Sequence, residues 1–256
     1  MSAAAIQLDR VSVSFGGVHA VRECTFTIEE GSITGLIGPN GAGKSTVISL
    51  IGGALQPDSG DITFFGECSP GMAHLVADRG VARTFQIPQE MRQLTVMENL
   101  LVSGGAQTGE GVLAALFGRS SWRRQEEESL DRAWALLKRF RLDHLANDLA
   151  VRLSGGQKKL LEFARALHAR PRVLLLDEPM AGVNPTLRSS LEEHIASFHD
   201  EGITVLMIEH EMGIVSRLCS KVVVMAEGHV IAEGGFEEIS QDERVISAYL
   251  GQTVKR

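Results

Sequence analysis

The stretch "ITGLIGPNGAGKSTVISLI", residues 33 to 51, leaves the chain few ways to fold. A short apolar run reads as a strand. A glycine-rich turn follows, and the residues after Lys44 have the spacing of an apolar helix face. The turn itself, "GPNGAGKST", comprises Gly38, Pro39, Asn40, Gly41, Ala42, Gly43, Lys44, Ser45 and Thr46. It matches G-x-x-x-x-G-K-[ST] in the strand-to-helix context that this pattern requires. Glycines let backbone N–H groups close around phosphate oxygens, and the helix start adds the positive end of its dipole. Lys44 offers a cation to the β- and γ-phosphates, and Ser45 offers a hydroxyl to Mg²⁺.

The rest of the chain has two textures. "IQLDRVSVSF" alternates as a strand does, and "CTFTIEEGSITGLIG" reads as two more strands broken at Glu30-Gly31. "GDITFFGE" is another short strand. From Arg170, strands and helices alternate through "VLLLDEP", "LRSSLEEHIASFHD", "GITVLMIEH", "MGIVSRLC" and "KVVVMAEGHVIAEG". Such alternation implies a parallel sheet covered on both faces. Between them, "TVMENLLVSG" opens a helical region, "GAQTGEGVLAALFGRSSW" reads as a loop or broken helix, and "RRQEEESLDRAWALLKRF" is an amphipathic helix. Leu130, Trp134 and Leu137 fall on one face, with Trp134 expected in the core, and Glu128–Arg132 forms an i,i+4 pair. The expected organisation is one α/β domain. Residues 1–86 and 166–256 form a nucleotide-binding core with an antiparallel β subdomain, and 87–165 form an inserted helical subdomain.

Charge and cysteine usage narrow the partners. The 256 residues carry a net charge of −7, which disfavours general nucleic-acid binding. Cys24, Cys68 and Cys219 lie far apart without a CxxC, so they read as reduced thiols of a cytosolic protein rather than as metal ligands. The start "MSAAAIQLDR" lacks the pattern of a signal peptide, and no apolar run reaches membrane-span length. If the protein works at a membrane, another chain must hold it there.

Two further stretches carry chemistry. "VLLLDE" ends an apolar strand in Asp177 and Glu178, and ligands of open α/β sheets bind at the carboxyl ends of strands. Asp177 would stand beside the Mg²⁺ shell, and Glu178 would reach the water that attacks the γ-phosphate. The second is "LSGGQKKLLEFARAL". Ser154 and Gln157 form an S-x-x-Q capping box, but that leaves Gly155 and Gly156 unexplained, each costing about 1 kcal/mol against alanine in a helix. Bare backbone at a helix start is what an approaching phosphate needs. The chain already has one phosphate cradle, so a second on the same nucleotide would come from another chain.

"GPNGAGKST", "RTFQ", "LSGGQ", "VLLLDEP" and "VLMIEH", in this order across nearly the whole chain, resemble an ABC-type ATPase. The resemblance implies a P-loop NTPase (RecA-like) core and a head-to-tail dimer with two ATPs sandwiched. Each ATP would lie between one subunit's P-loop and the other's Ser154 to Gln157. It further implies that Gln86 touches Mg²⁺ or the lytic water, that His210 contacts the γ-phosphate and that Phe15 stacks on adenine. The plainer readings are a satisfied core histidine and ordinary strand packing. The general pattern has an aspartate where "MAGVNP" has Asn184, which keeps a polar contact across the dimer without the charge. This bears on coupling between the two sites rather than on hydrolysis.

"VARTFQ", "LTVMENLLV" with its long insertion, "AGVNP", "IEHEM" and "VISAYLG" resemble the branched-chain amino acid importer subgroup, in particular its longer, LivG-like ATPase. That implies a peripheral subunit on the cytoplasmic face of the inner membrane, binding ATP and Mg²⁺. Its partners would be permease subunits, a second ATPase chain and, indirectly, a substrate-binding protein. The segment after Gln86 would dock the permease through Ile87, Met91 and Leu94, although core packing of at least one is the default. Importers of urea or short amides, lipopolysaccharide exporters and soluble ABC ATPases are the alternatives.

Overall fold

The computed structural model describes residues 3–84, 91–104 and 119–250. The chain divides into two compact units, Met1–Gln86 with Arg172–Arg256, and Ile87–Pro171. In chain order the first unit begins with β1 (Ala4–Phe15), β2 (Val18–Glu29), β3 (Ile33–Ile37), α1 (Lys44–Ile51), β4 (Ser59–Phe64), β5 (Glu67–Cys68), α2 (Ala73–Asp78) and β6 (Val81–Arg83). The second unit contributes α3 (Val96–Ser103), α4 (Arg119–Arg139) and α5 (Gly155–His168). The first resumes with β7 (Val173–Asp177), α6 (Pro185–Asp200), β8 (Thr204–Ile208), α7 (Met212–Leu218), β9 (Lys221–Ala226), β10 (His229–Gly234), α8 (Phe236–Gln241) and α9 (Glu243–Leu250).

Two sheets build the first unit. The smaller is antiparallel, in the order β2-β1-β4-β5. The larger has the order β10-β9-β3-β8-β7-β6 and is parallel except where β10 meets β9. Strands β3, β7 and β8 are buried along their whole length, as expected of parallel strands covered on both faces. One apolar core joins both sheets: Ile6, Leu8, Phe26 and Phe64 from the small one, Leu175, Leu206 and Val223 from the large one, with Val47, Ile48 and Ile51 of α1 between. Each such side chain contributes about 1.5–3 kcal/mol by burial. Because α1 is fixed by this core, the loop before it is fixed as well.

In the second unit, α3 opens with a capping box in which Thr95 Oγ1 accepts the Glu98 N–H at 3.2 Å and the Glu98 carboxylate accepts the Thr95 N–H at 2.7 Å. The face that α4 buries is Ala133, Leu136 and Leu137, with the buried Phe140 just past its end. The expectation of a Leu130, Trp134 and Leu137 core face is therefore corrected. Leu137 is buried, but Leu130 and Trp134 lie on the neighbouring stripe, at 40% and 38% exposure. The helix turns its small and aliphatic stripe inward and leaves the indole at the edge. The Glu128–Arg132 pair is also corrected. Glu128 receives Arg124 at 3.2 Å, while Arg132 donates to the Leu167 carbonyl at 2.6 Å, near the end of α5. That carbonyl also accepts the Arg170 N–H at 3.0 Å, and a cation at this end of α5 meets the negative end of the helix dipole. The unit runs to Pro171 rather than to residue 165, because α5 continues to His168. Most of the glycine-rich insertion lies outside the described residues.

Candidate functional site

The loop between β3 and α1 is held in shapes open to glycine alone. Gly38 has φ +145°, and a Cβ there would run into the Met225 carbonyl. Gly43 has φ +99°, and a Cβ there would lie 2.5 Å from the Ala20 carbonyl oxygen. Gly43 is also the N-cap of α1 and supplies no side chain to its free N–H groups, whereas Thr95, Ser154 and Asn184 cap α3, α5 and α6. An uncapped helix start facing a glycine cradle fits a phosphate. Lys44 is buried and curls back, donating to the carbonyls of Gly38 at 2.7 Å and Pro39 at 3.0 Å. Burial holds its pKa below the ordinary lysine value, while the charges of Glu178 and Asp177 pull it upward. One ammonium and two carboxylates thus share the site. Asn40 and Ser45 are exposed, Ala42 is buried, and Pro39 and Thr46 are half-buried.

The carboxyl ends of β7 and β8 supply the acids. Register pairs Asp177 with Ile208, so Glu178 and the residues after Ile208 leave the sheet side by side. Asp177 is buried, and its Oδ2 accepts the Arg83 guanidinium at 3.2 Å. Glu178 takes the left-handed conformation, φ +49°. For a residue with a Cβ this costs on the order of 1 kcal/mol or more, so the surroundings must impose it. Its Oε1 lies 2.8 Å from His210 Nε2. The structure therefore brings Lys44, Asp177, Glu178 and His210 to one place. Ser45, beside Lys44, and Asp177 present only oxygen donors, which suits a hard cation such as Mg²⁺. Gln86 and Ile87 lie outside the described residues.

Phe15 ends β1 at a hairpin tip, opposite Val18, and is 48% exposed rather than packed beneath the sheet. In the second unit, Ser154 Oγ accepts the Gln157 N–H at 3.3 Å, and Gln157 Oε1 accepts the Ser154 N–H at 2.8 Å. This capping box explains Ser154 and Gln157 but not the glycines. Among the described residues, a Cβ on the exposed Gly155 would meet no atom within 4 Å. Gly156 is half-buried. Met91 and Leu94 are half-buried, and the segment carrying them is clasped by Asn99, whose carboxamide accepts from Met91 N and donates to the carbonyls of Met91, Leu94 and Thr95.

A family model described as ABC transporter matches residues 21–181, more than half of the chain. The chain belongs to the ABC transporter family. A second model, described as branched-chain amino acid ATP-binding cassette transporter, matches residues 229–255 of this cassette. The cassette is 40% identical to the probable branched-chain amino acid transport ATP-binding protein LivG of Archaeoglobus fulgidus, over 96% of its own length and 95% of that protein. It is 39% identical to the high-affinity branched-chain amino acid transport ATP-binding protein BraF of Pseudomonas aeruginosa, over 98% and 100%. A crystal structure of a nucleotide-free ATP-binding cassette from an ABC transporter superposes with a TM-score of 0.82 at 37% identity, covering 96% of this chain and 98% of that one.

Sequence reasoning missed Arg83 and Glu209 at the strand ends of this cassette, and it read Asn184 without its local role. Arg83 contacts Asp177 and also donates to Ser49 Oγ of α1 at 3.1 Å, and its only local signal was a basic residue within "VARTFQ". Glu209 is buried beside His210, and its signal was a carboxylate at the end of an otherwise apolar strand. Asn184 caps α6, its Oδ1 accepting the Leu187 N–H at 2.9 Å ahead of Pro185.

Proposed function

We propose that this cassette is the ATP-hydrolysing subunit of an importer that takes up branched-chain or other hydrophobic amino acids through a membrane permease. The observation that carries the ATPase chemistry is Glu178, strained and 2.8 Å from His210 at the strand ends that face Lys44. In this reading the P-loop amides and Lys44 bind and orient the phosphates. Glu178 takes the proton of the attacking water, and His210 holds the γ-phosphate in line. Ser45 and Asp177, with Gln86, would hold Mg²⁺, which would supply charge neutralisation at the phosphoryl oxygens. Ser154 and Gly156 of a second cassette, a copy or a homologous chain, complete the site, so ATP closes the dimer and hydrolysis reopens it. Likeness to the LivG and BraF proteins over nearly the whole chain supports the amino acid substrate.

Among the described residues no helix is long and apolar enough to cross a membrane. Attachment to the cytoplasmic face of the inner membrane therefore falls to the permease, docked near Ile87, Met91 and Leu94. Glutamate at Met91 and at Leu94 is expected to reduce recovery of the permease complex roughly tenfold or more, because hot-spot apolar contacts tolerate no buried charge. ATP affinity and melting temperature of the free cassette are expected to hold. Undiminished assembly would place the dock elsewhere.

Exposure of Phe15 leaves its ring free to stack on adenine. Phe15→Ala is expected to raise the ATP Kd roughly tenfold, about 1.4 kcal/mol, without lowering the melting temperature. An unchanged Kd by calorimetry would remove Phe15 from the site. The transport reading itself is tested by purifying the cassette with its membrane and binding-protein partners and measuring stimulated hydrolysis. Leucine, isoleucine or valine should stimulate it. Stimulation by urea or a short amide instead, or the absence of any membrane partner, would replace it.

A further inference from the structure

The end of β8 holds a carboxylate for which the hydrolytic reading has no use. Glu209 follows Ile208 and is 4% exposed. Carboxylates are almost never buried so fully without specific partners. Its two oxygens face two different loops. Oε1 accepts the Met180 backbone N–H at 3.0 Å, and Oε2 accepts the His210 backbone N–H at 3.2 Å. Burial pushes its carboxyl above the ordinary range, and those two amides pull it back.

Both contacts lead to the same place. Met180 lies in the turn that begins at Glu178, where the Ala181 N–H closes onto the Glu178 carbonyl at 3.1 Å. The Glu178 N–H donates to the Ile208 carbonyl at 3.1 Å, one residue before Glu209. The side chains close the ring, with His210 Nε2 against Glu178 Oε1. A single buried carboxylate therefore pins the loop that carries Glu178 and the loop that carries His210. The left-handed backbone at Glu178 needs such a restraint, since a relaxed turn would swing its side chain away from His210.

We infer that Glu209 is a positioning residue. Through the Met180 and His210 amides it fixes the strained turn at Glu178 against the His210 loop, so that the two hydrolytic side chains meet in one geometry. The inference rests on the reading that Glu178 and His210 act on ATP. Glutamine at this position has one acceptor oxygen and turns an N–H₂ group toward one of the two amides. Alanine has neither oxygen and leaves both amides unpaired.

The test is steady-state ATP hydrolysis by Glu209→Gln and Glu209→Ala, with melting temperatures and with Glu178→Gln alongside. A catalytic group displaced by about 1 Å can lose up to ~10² in rate, so kcat is expected to fall roughly tenfold in Glu209→Gln and further in Glu209→Ala. The KM for ATP is expected to stay within about twofold, since ground-state contacts are untouched. The melting temperature of Glu209→Gln is expected to change little, because the smaller cost of burying a neutral amide offsets the one backbone N–H left without an acceptor. A merely structural role gives a different pattern, with the KM for ATP rising and the melting temperature falling as kcat drops, and that result would overturn the proposal. So would full kcat in a folded Glu209→Gln, or a Glu209→Gln chain that does not fold. If Glu209→Ala does not fold, Glu209→Gln alone decides. If Glu178→Gln loses turnover while the Glu209 variants keep it, only the positioning role fails. If Glu178→Gln keeps turnover, the hydrolytic reading fails and takes this one with it.

Discussion

Lys44→Ala is expected to lose ~10²–10³-fold in kcat/KM for Mg-ATP, the scale seen when one preorganised donor to developing charge is removed. The effect comes from where the ammonium sits. It is buried at the uncapped start of α1 and bonded to two neutral carbonyls of its own loop, Gly38 and Pro39. A phosphate adds Coulomb attraction between opposite charges to the hydrogen bond, which a neutral carbonyl cannot, so it can take the ammonium from those carbonyls. Alanine removes that donor. It also leaves Asp177 and Glu178 without the cation they face, so the site turns anionic toward an anionic substrate. Stability should not follow activity down. The wild-type lysine carries a desolvation cost that alanine lacks, so the nucleotide-free melting temperature is expected to hold. Calorimetry with Mg-ATP, phosphate release and a melting curve separate the two effects. Wild-type turnover in the variant would overturn the assignment of the loop to phosphate.

The parts legible in the sequence were those written in consecutive residues. The turn from Gly38 to Thr46 lies where strand, glycines and helix placed it, and the capping box of Ser154 and Gln157 is formed. The parts that were not legible depend on register. Arg83 lies 94 residues from Asp177, and they meet because β6 and β7 pair in parallel with Arg83 opposite Leu175. Three-residue β6 and six-residue α2 are too short to show a period. Glu209 is read as one more charge until β7 and β8 align and bring Met180 to it. Trp134 misled for a different reason. A helix with two adjacent apolar stripes does not say which one its neighbours cover, and the bulk of an indole does not decide it. Asn184 shows the limit of motif comparison. Seen against the general pattern it is a lost charge, whereas in the fold it is a helix cap that asparagine serves as well as aspartate.

Glu178→Gln is expected to bind ATP normally and to cut turnover by ~10²-fold or more, because the amide keeps the shape and a hydrogen bond but cannot accept the proton of water. His210 lies 2.8 Å from Glu178 and would keep a partner in the amide, so the local geometry should survive the change. The larger consequence concerns assembly. If Ser154 and Gly156 of one cassette bind the γ-phosphate on the other's P-loop, that phosphate holds the dimer together for as long as it is uncleaved. Glu178→Gln with Mg-ATP should therefore accumulate as a dimer, with the partner ATPase added if the natural pair is mixed. Its melting temperature should rise with ATP concentration, by mass action on the closed state. The glycines supply the control. Gly155 stands exposed, with open space where a Cβ would be, so among the described residues nothing requires a bare helix start there. An approaching phosphate does require one, and arginine at the neighbouring Ser154 would obstruct it while also removing the cap. Ser154→Arg in the Glu178→Gln background is expected to leave ATP on the P-loop and abolish the dimer. Since loss of a cap costs only about 1 kcal/mol, the subunit should stay folded, and melting would verify this. Size-exclusion chromatography of the two variants with Mg-ATP decides the matter. A double variant that dimerises as well as its parent, or an ATP-bound Glu178→Gln that stays monomeric, would mean that the glycines serve something other than a shared phosphate.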